Sequence, residues 1–271
     1  MPQIQQNVSL KPYNTFGIDV DALYFCDCQS ENDLLEILNT SKYKQLNTLV
    51  LGGGSNVLFT KDFNGLIILN SIKGKEKVHE DENRTTLRVG AGEDWDELVE
   101  YTVKNDWAGL ENLSYIPGKV GASPIQNIGA YGEEVKNTIQ EVETLDVNTL
   151  EKITYKNKDC KFGYRSSIFK HELKGKRIIT HVSFRLNKQH IFNLGYGVLE
   201  ETLNKKGETT LQNIRNSIIE IRKSKLPEPE ELGSAGSFFK NPIITGEKLK
   251  ELQQTFPNIP FYKLAEEKIK I

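Results

Sequence analysis

Cysteine is scarce in this chain of 271 residues, and the three present, Cys26, Cys28 and Cys160, are too few and too scattered for a disulfide framework. Cys26-Asp27-Cys28 lacks further ligands at metal spacing and reads as strand packing. The four histidines, His79, His171, His181 and His190, form no motif and suggest no metal site. No apolar run approaches the ~20 residues of a membrane span. Residues 1–14 lack the apolar core of a signal peptide. A formal net charge of −2 leaves no general basic field for nucleic acid. Gly-Lys-Ser/Thr is absent, which excludes a Walker loop. These absences leave a reducing cytoplasm as the natural location. The length suggests about two domains.

What is present centres on residues 115–133, Y-I-P-G-K-V-G-A-S-P-I-Q-N-I-G-A-Y-G-E, with no charge between Lys119 and Glu133. Glycine permits close backbone approach or positive φ. Ser123, Gln126, Asn127 and Tyr131 bring hydrogen-bonding groups that need partners if buried. The stretch reads as the floor of a large ligand site; a packed internal loop is the plain alternative.

Around it the chain alternates short strands and helices. Residues 23–28 read as a strand. Ser30 and Asp33 form a capping-box-like start to a short helix bearing Leu34, Leu35, Ile37 and Leu38. Residues 48–51 form a strand that runs into Gly52-Gly53-Gly54-Ser55-Asn56, a loop able to present backbone N–H groups to a phosphate. Val57 stands where a dinucleotide fingerprint needs glycine, so a plain turn stays open. Residues 1–13 read as a polar leader. Residues 66–69, 85–89, 139–147, 150–155 and 177–186 read as strands, 73–84 as a solvated charged turn and 93–104 as a helix. Leu211, Ile214, Ile218 and Ile221 recur at 3, 4, 3 spacing and predict an amphipathic helix ending before Pro227. An acidic connector, Pro227-Glu228-Pro229-Glu230-Glu231, follows, and another helix is expected near 248–255. The pattern is β-rich α+β with a small α/β domain near 205–271.

Two further residues carry possible chemistry. Arg165 lies among Phe162, Tyr164, Ile168 and Phe169, and its planar fork suits a carboxylate, a phosphate or an internal salt bridge. Ser237 is not a nucleophile elbow, because Ala235 and Phe239 occupy the two glycine places of that motif. Its hydroxyl could donate a proton to a developing carbanion, or it could be a cap or turn serine.

Taken together, residues 14–17, 52–58, 89–92, 116–132, 162–170, 225–229 and 236–242 resemble, in order, the motifs of the UDP-N-acetylenolpyruvoylglucosamine reductase family, the MurB enzymes of peptidoglycan synthesis. I-P-G-K-V-G-A-S-P-I-Q-N-I-G-A-Y-G, G-Y-R-S-S-I-F-K and G-S-F-F-K-N-P carry the likeness. The resemblance implies an α+β fold: an FAD-binding domain of the vanillyl-alcohol-oxidase (PCMH) type in two subdomains, 1–70 and 71–204, and a smaller α/β substrate-binding domain over 205–271. It implies FAD, held by Gly53, Gly54, Ser55 and Asn56 at the pyrophosphate and lined by Gly121, Ala122, Ser123, Asn127 and Gly129, with Arg222 reaching the flavin region. No His or Cys lies within 115–133 to tether a flavin, so the cofactor is expected to be non-covalent. NADPH would be the hydride source and UDP-N-acetylglucosamine enolpyruvate the substrate. Arg165 would stabilise the enol-like intermediate and Ser237 would protonate it. Tyr131, Tyr196, Lys225, Asn241 and Tyr262 would contact substrate or NADPH, with Gly195-Tyr196-Gly197 like the tyrosine loop of the longer, type I branch. A cytoplasmic monomer is implied. The family pattern continues past Ile271 with a strand bearing a glutamate that works with the arginine. The expectation is a substrate domain incomplete at its C-terminus, FAD binding, and impaired turnover; a non-catalytic FAD or UDP-sugar binder is the alternative.

Overall fold

The chain starts by building a sheet buried on both faces. Strand β1 (Ile4–Ser9) pairs antiparallel with β2 (Asp21–Cys28). Helices α1 (Glu31–Asn39) and α2 (Ser41–Lys44) lead to β3 (Thr48–Leu51) and then β4 (Phe63–Asn70). The order is β1-β2-β4-β3, with β2, β4 and β3 parallel. Successive strand residues face opposite sides. Leu66 and Ile68 therefore pack with Leu34, Ile37 and Leu38 of α1, while Ile67 packs with Leu10, Phe25, Leu51 and Phe59 on the other face. Each such side chain contributes about 1.5–3 kcal/mol when fully buried. Helix α1 begins with the expected capping box: Ser30 Oγ accepts from Asp33 N at 3.2 Å, and the Asp33 carboxylate accepts from Ser30 N at 2.9 Å.

A second, antiparallel sheet follows. It comprises β5 (Lys75–Glu80), β6 (Arg84–Gly90), β9 (Ile139–Asp146), β10 (Lys152–Lys156) and β11 (Arg177–Asn187), ordered β10-β9-β11-β6-β5. Helix α3 (Trp95–Lys104), capped by Asp94, lays Trp95, Leu98 and Val99 against Leu87, Val89, Val182 and Phe184. Two-residue strands β7 (Gly129–Ala130) and β8 (Glu133–Glu134) close a hairpin in the central stretch. Helix α5 (Leu211–Lys223) buries Ile214, Ile218 and Ile221 against Leu199 and Leu203 of α4 (Gly197–Asn204). All three cysteines are fully buried, and the thiols of Cys26 and Cys28 lie 3.6 Å apart on β2.

Two expectations are corrected. The polar leader contains β1, whose Asn7 has φ 52° and is skipped in the pairing with β2. The charged turn at 73–84 contains β5, with all six residues exposed. Both are edge strands. Charge and irregularity keep such edges from pairing with other chains and also remove the apolar alternation by which strands are recognised. Helix α4 has no counterpart in the sequence pattern.

This is a computed structural model that describes every residue except Met1, Tyr196, Ala235, Phe238 and residues 229–230 and 264–267. The chain divides into two compact units, Met1–Ala235 and Gly236–Ile271. In the second, β12 (Ile243–Ile244), β14 (Ile269–Lys270) and β13 (Tyr262–Lys263) form an antiparallel sheet in that order. Helix α6 (Gly246–Thr255), capped by Thr245, buries Leu249. Among the described residues, no helix is long and apolar enough to cross a membrane.

Candidate active site

The two glycine-rich loops of the first unit meet. A Cβ on Gly53 would lie 3.0 Å from Gly118 Cα, so the backbones touch where neither has a side chain. Ser55 Oγ donates to Pro117 O at 3.0 Å, and Asn56 Nδ2 to Gln126 Oε1 at 2.9 Å. Gly54 has φ 62°, and a Cβ there would fall 1.9 Å from Tyr13 O, so only glycine fits.

Beyond the contact, the central stretch turns through Gly121, Ala122 and Ser123. Gly121 N donates to Ala91 O at 2.9 Å, which fixes the turn on the end of β6, and Ala122 is exposed. The Ser123 hydroxyl is buried and unpartnered among the described residues. A buried donor of this kind needs an acceptor, and a cofactor lying on the two loops would supply one. Asn127 is fully buried; its side chain donates to Gly163 O at 2.9 Å and accepts from Lys136 N at 3.1 Å.

Arg165 crosses this floor. Its guanidinium donates to Asn127 O at 3.3 Å and to Gly129 O, and its own carbonyl accepts from Lys170 Nζ at 3.1 Å. Among the described residues the guanidinium is held by neutral carbonyls rather than by an internal salt bridge, and a guanidinium with five N–H donors keeps some to spare. Tyr115, Asn127, Tyr131 and Arg165 are four of the eight non-glycine residues with positive φ among the described residues. Such conformations cost about 1–3 kcal/mol each and persist where the surroundings over-determine them, which happens most at functional sites.

Helix α5 covers one side. Arg222 Nε donates to Tyr115 O at 2.8 Å. Burial draws the Arg222 guanidinium below its usual range, and Tyr131 opposes that shift. Burial likewise pushes the Tyr131 phenol up, while Arg222 pulls it down. Arg222 thus joins the two tyrosines that bracket the central stretch. Lys225 follows α5 on the surface, its N–H donating to Arg222 O at 3.0 Å. Ser237, Asn241 and Tyr262 belong to the second unit; all three are exposed, and Tyr262 lies on β13 with Lys270 Nζ 5.2 Å from its ring centroid. Tyr196 lies outside the described residues.

A family model described as an FAD binding domain matches residues 22–149. The UDP-N-acetylenolpyruvoylglucosamine reductase of Aliivibrio fischeri is 48% identical over 266 residues, 98% of this chain and 75% of that protein. The chain belongs to the UDP-N-acetylenolpyruvoylglucosamine reductase family. The reductase of Flavobacterium johnsoniae is 44% identical over 99% of this chain and 80% of its own length. Among solved structures, the MurB reductase of Thermus caldophilus superposes with a TM-score of 0.64 at 22% identity, covering all of this chain and 88% of that one. Cholesterol oxidase from Brevibacterium sterolicum reaches 0.51 at 17% identity over 69% of this chain and 38% of its own. These likenesses are of fold, an α+β architecture, and the matching family model identifies an FAD-binding domain within it.

Several supporting residues carry no local signal. Asp96, on the first turn of α3, accepts both guanidinium nitrogens of Arg215 (2.6 and 2.7 Å) and the N–H of Tyr115. Asn112 Nδ2 donates to Tyr131 O at 2.9 Å and Asn193 O at 2.8 Å. Asp96 and Arg215 are 119 residues apart, a separation across which periodicity says nothing.

Proposed function

We propose that this reductase-family chain is an FAD-dependent oxidoreductase that uses NADPH to reduce UDP-N-acetylglucosamine enolpyruvate to UDP-N-acetylmuramate, in peptidoglycan precursor synthesis. What supports this most is the 48% identity along 98% of the chain to a protein named for that substrate. Gly53, Gly54, Ser55 and Asn56 hold the pyrophosphate, and Gly121, Ala122, Ser123, Asn127 and Gly129, with Arg222 nearby, line the rest of the cofactor. Residues 1–70 and 71–204 form the cofactor subdomains and 205–271 the substrate-binding region. Bound non-covalently, FAD supplies the hydride carrier between NADPH and the vinyl group.

The chain's own residues manage charge and proton. Hydride addition to the vinyl group leaves negative charge on the adjacent carbon and carboxylate. Arg165, already oriented by two backbone carbonyls, stabilises that charge without reorganising, which is where preorganised electrostatics is most effective. Ser237 gives its proton to the carbon as general acid. A serine hydroxyl is a weak acid, and Lys240 and Asn241 stand close in sequence to stabilise the alkoxide it leaves. Tyr131, Tyr196, Lys225, Asn241 and Tyr262 contact the phosphates and sugars of substrate or NADPH. The protein acts as a cytoplasmic monomer.

The test is anaerobic absorbance at the flavin band. NADPH should bleach it, NADH should do so more slowly, and the enolpyruvyl sugar should restore it; denaturation should release free FAD. A protein that takes up no FAD, or whose reduced flavin ignores the enolpyruvyl sugar, removes the proposal.

A further inference from the structure

Arg165 occupies a place that turns ordinarily give to glycine. The N–H of Ser166 donates to Gly163 O at 3.1 Å, and the N–H of Gly163 donates to Ser166 O at 3.0 Å, so residues 163–166 close a tight turn. Arg165 takes its third place, at φ 53°. Positive φ at that place suits glycine or asparagine, because a larger side chain is strained there. An arginine stays in it only where the surroundings over-determine the backbone.

Those surroundings act on both ends of the turn. Its base is tied to the central stretch: Asn127 Nδ2 donates to Gly163 O at 2.9 Å, and Ser167 Oγ donates to Ile125 O at 2.6 Å. Its tip is tied by Lys170, on the single helical turn Ile168–Lys170, whose Nζ donates to Arg165 O at 3.1 Å. The peptide that follows Arg165 is therefore held at both poles, its N–H on Gly163 O and its C=O on an ammonium. A hydrogen bond from a charged donor is about twice as strong as a neutral one. The guanidinium itself lies over Gly129, where a Cβ would come within 2.8 Å of Arg165 Nη1. A change in the Arg165 backbone would lift its fork off Asn127 O and Gly129 O.

We infer that Lys170 is a positioning residue for the reduction, one that acts through Arg165; this rests on the reading of Arg165 as the group that stabilises the enol-like charge. The ammonium has no need to touch the substrate. It keeps the left-handed backbone of Arg165 from relaxing, and so keeps the guanidinium aimed before the charge develops. The ties at Gly163 and Ser167 do not involve Lys170. Without its ammonium the turn stays closed and only the aim of Arg165 is lost. An error of about 1 Å in the placement of such a group can cost roughly 10²-fold.

The experiment uses Lys170→Met, which keeps the apolar stem and removes the donor, with Lys170→Arg as the conservative variant that keeps a charged donor. Arg165→Ala and the double variant Arg165→Ala/Lys170→Met complete a cycle. FAD content, Tm, flavin reduction by NADPH and reoxidation by the enolpyruvyl sugar are read for each. Lys170→Met should slow the limiting rate of reoxidation by about 10- to 100-fold, with reduction within about twofold. Its FAD content and Tm should match the parent's, and Lys170→Arg should recover most of the loss. On the Arg165→Ala background, Lys170→Met should change reoxidation by less than about twofold, since no guanidinium is left to aim. Equal slowing of both half-reactions, or loss of FAD or of Tm, would make Lys170 structural and overturn the inference. Losses that multiply in the double variant overturn it too, because Lys170 would then act by another route. If Arg165→Ala is slow while Lys170→Met is normal, the positioning role alone falls. If Arg165→Ala reoxidises at the parent rate, the assignment of Arg165 falls and the positioning role with it.

Discussion

Arg165 and Ser237 stand in opposite settings. Arg165 sits in the left-handed region at φ 53°, with its fork on two carbonyls, its own carbonyl on Lys170 and its guanidinium 5.5 Å from the centroid of the Tyr164 ring. Ser237 is exposed, one residue after Gly236 at φ 71°, at the head of the second unit. A group that stabilises charge gains from being immobile before the charge appears. A proton donor needs only to come within about 3 Å of the carbon when it is needed, and substrate must first have room to enter. Under the proposed roles, the fixed charge belongs to the first unit and the proton to the second.

The largest expected effect breaks the comparison at Ser237. Ser237→Ala should slow reoxidation of reduced flavin by the enolpyruvyl sugar by ~10²–10⁴-fold, or roughly 3–5 kcal/mol of barrier, and leave reduction by NADPH intact. Stopped-flow absorbance resolves the two halves; equal slowing of both would make Ser237 structural. Next comes the fixed side. Arg165→Lys keeps the charge but loses the planar fork that spans Asn127 O and Gly129 O, so reoxidation should fall by about 10²–10³-fold. FAD content should not change, and a lysine variant at wild-type rate would show that charge alone suffices.

The smallest effect removes a confounder from any pH profile of these variants. His181 on β11 faces Glu31, Glu143, Arg88 and Lys152. Burial, helped by Arg88, holds its imidazole below the ordinary 6.5. Above 6.5 the folded and unfolded states are both neutral there. As pH falls below it the unfolded chain takes the proton first, so stability declines as pH drops. His181→Gln should flatten the fall in Tm between about pH 7 and pH 5 by a small amount. An unchanged slope would place that acid sensitivity elsewhere.

Much of this was legible in the residues because chemistry narrows the choice. Only glycine fits at Gly54, where the space for a Cβ is taken by Tyr13 O, and glycine runs are visible in a sequence. The 3, 4, 3 spacing of Leu211, Ile214, Ile218 and Ile221 became α5, with Thr210 Oγ1 accepting from Asn213 N at its start. The Ser30–Asp33 box became the start of α1. Strands β1 and β5 were not legible, since an edge strand with polar residues on both faces lacks the alternation that marks burial. The bonds that hold α5 and the connector, Arg215 to Asp96 and Glu228 to Tyr115, join residues 119 and 113 apart. Folding alone brings such partners together, and neither member is unusual where it stands.

The burial of the cysteines gives the protein an internal clock. Cys26, Cys28 and Cys160 all lie in the first unit at zero exposure, and burial raises the Cys160 thiol to about 12. A thiol reagent can reach them only when that unit opens, so labelling in the native state measures the rate of opening rather than the reactivity of sulfur. Residues 236–271 contain no cysteine. Motion confined to them is therefore silent to the reagent, and any signal that appears dates an event in the cofactor-binding part of the chain.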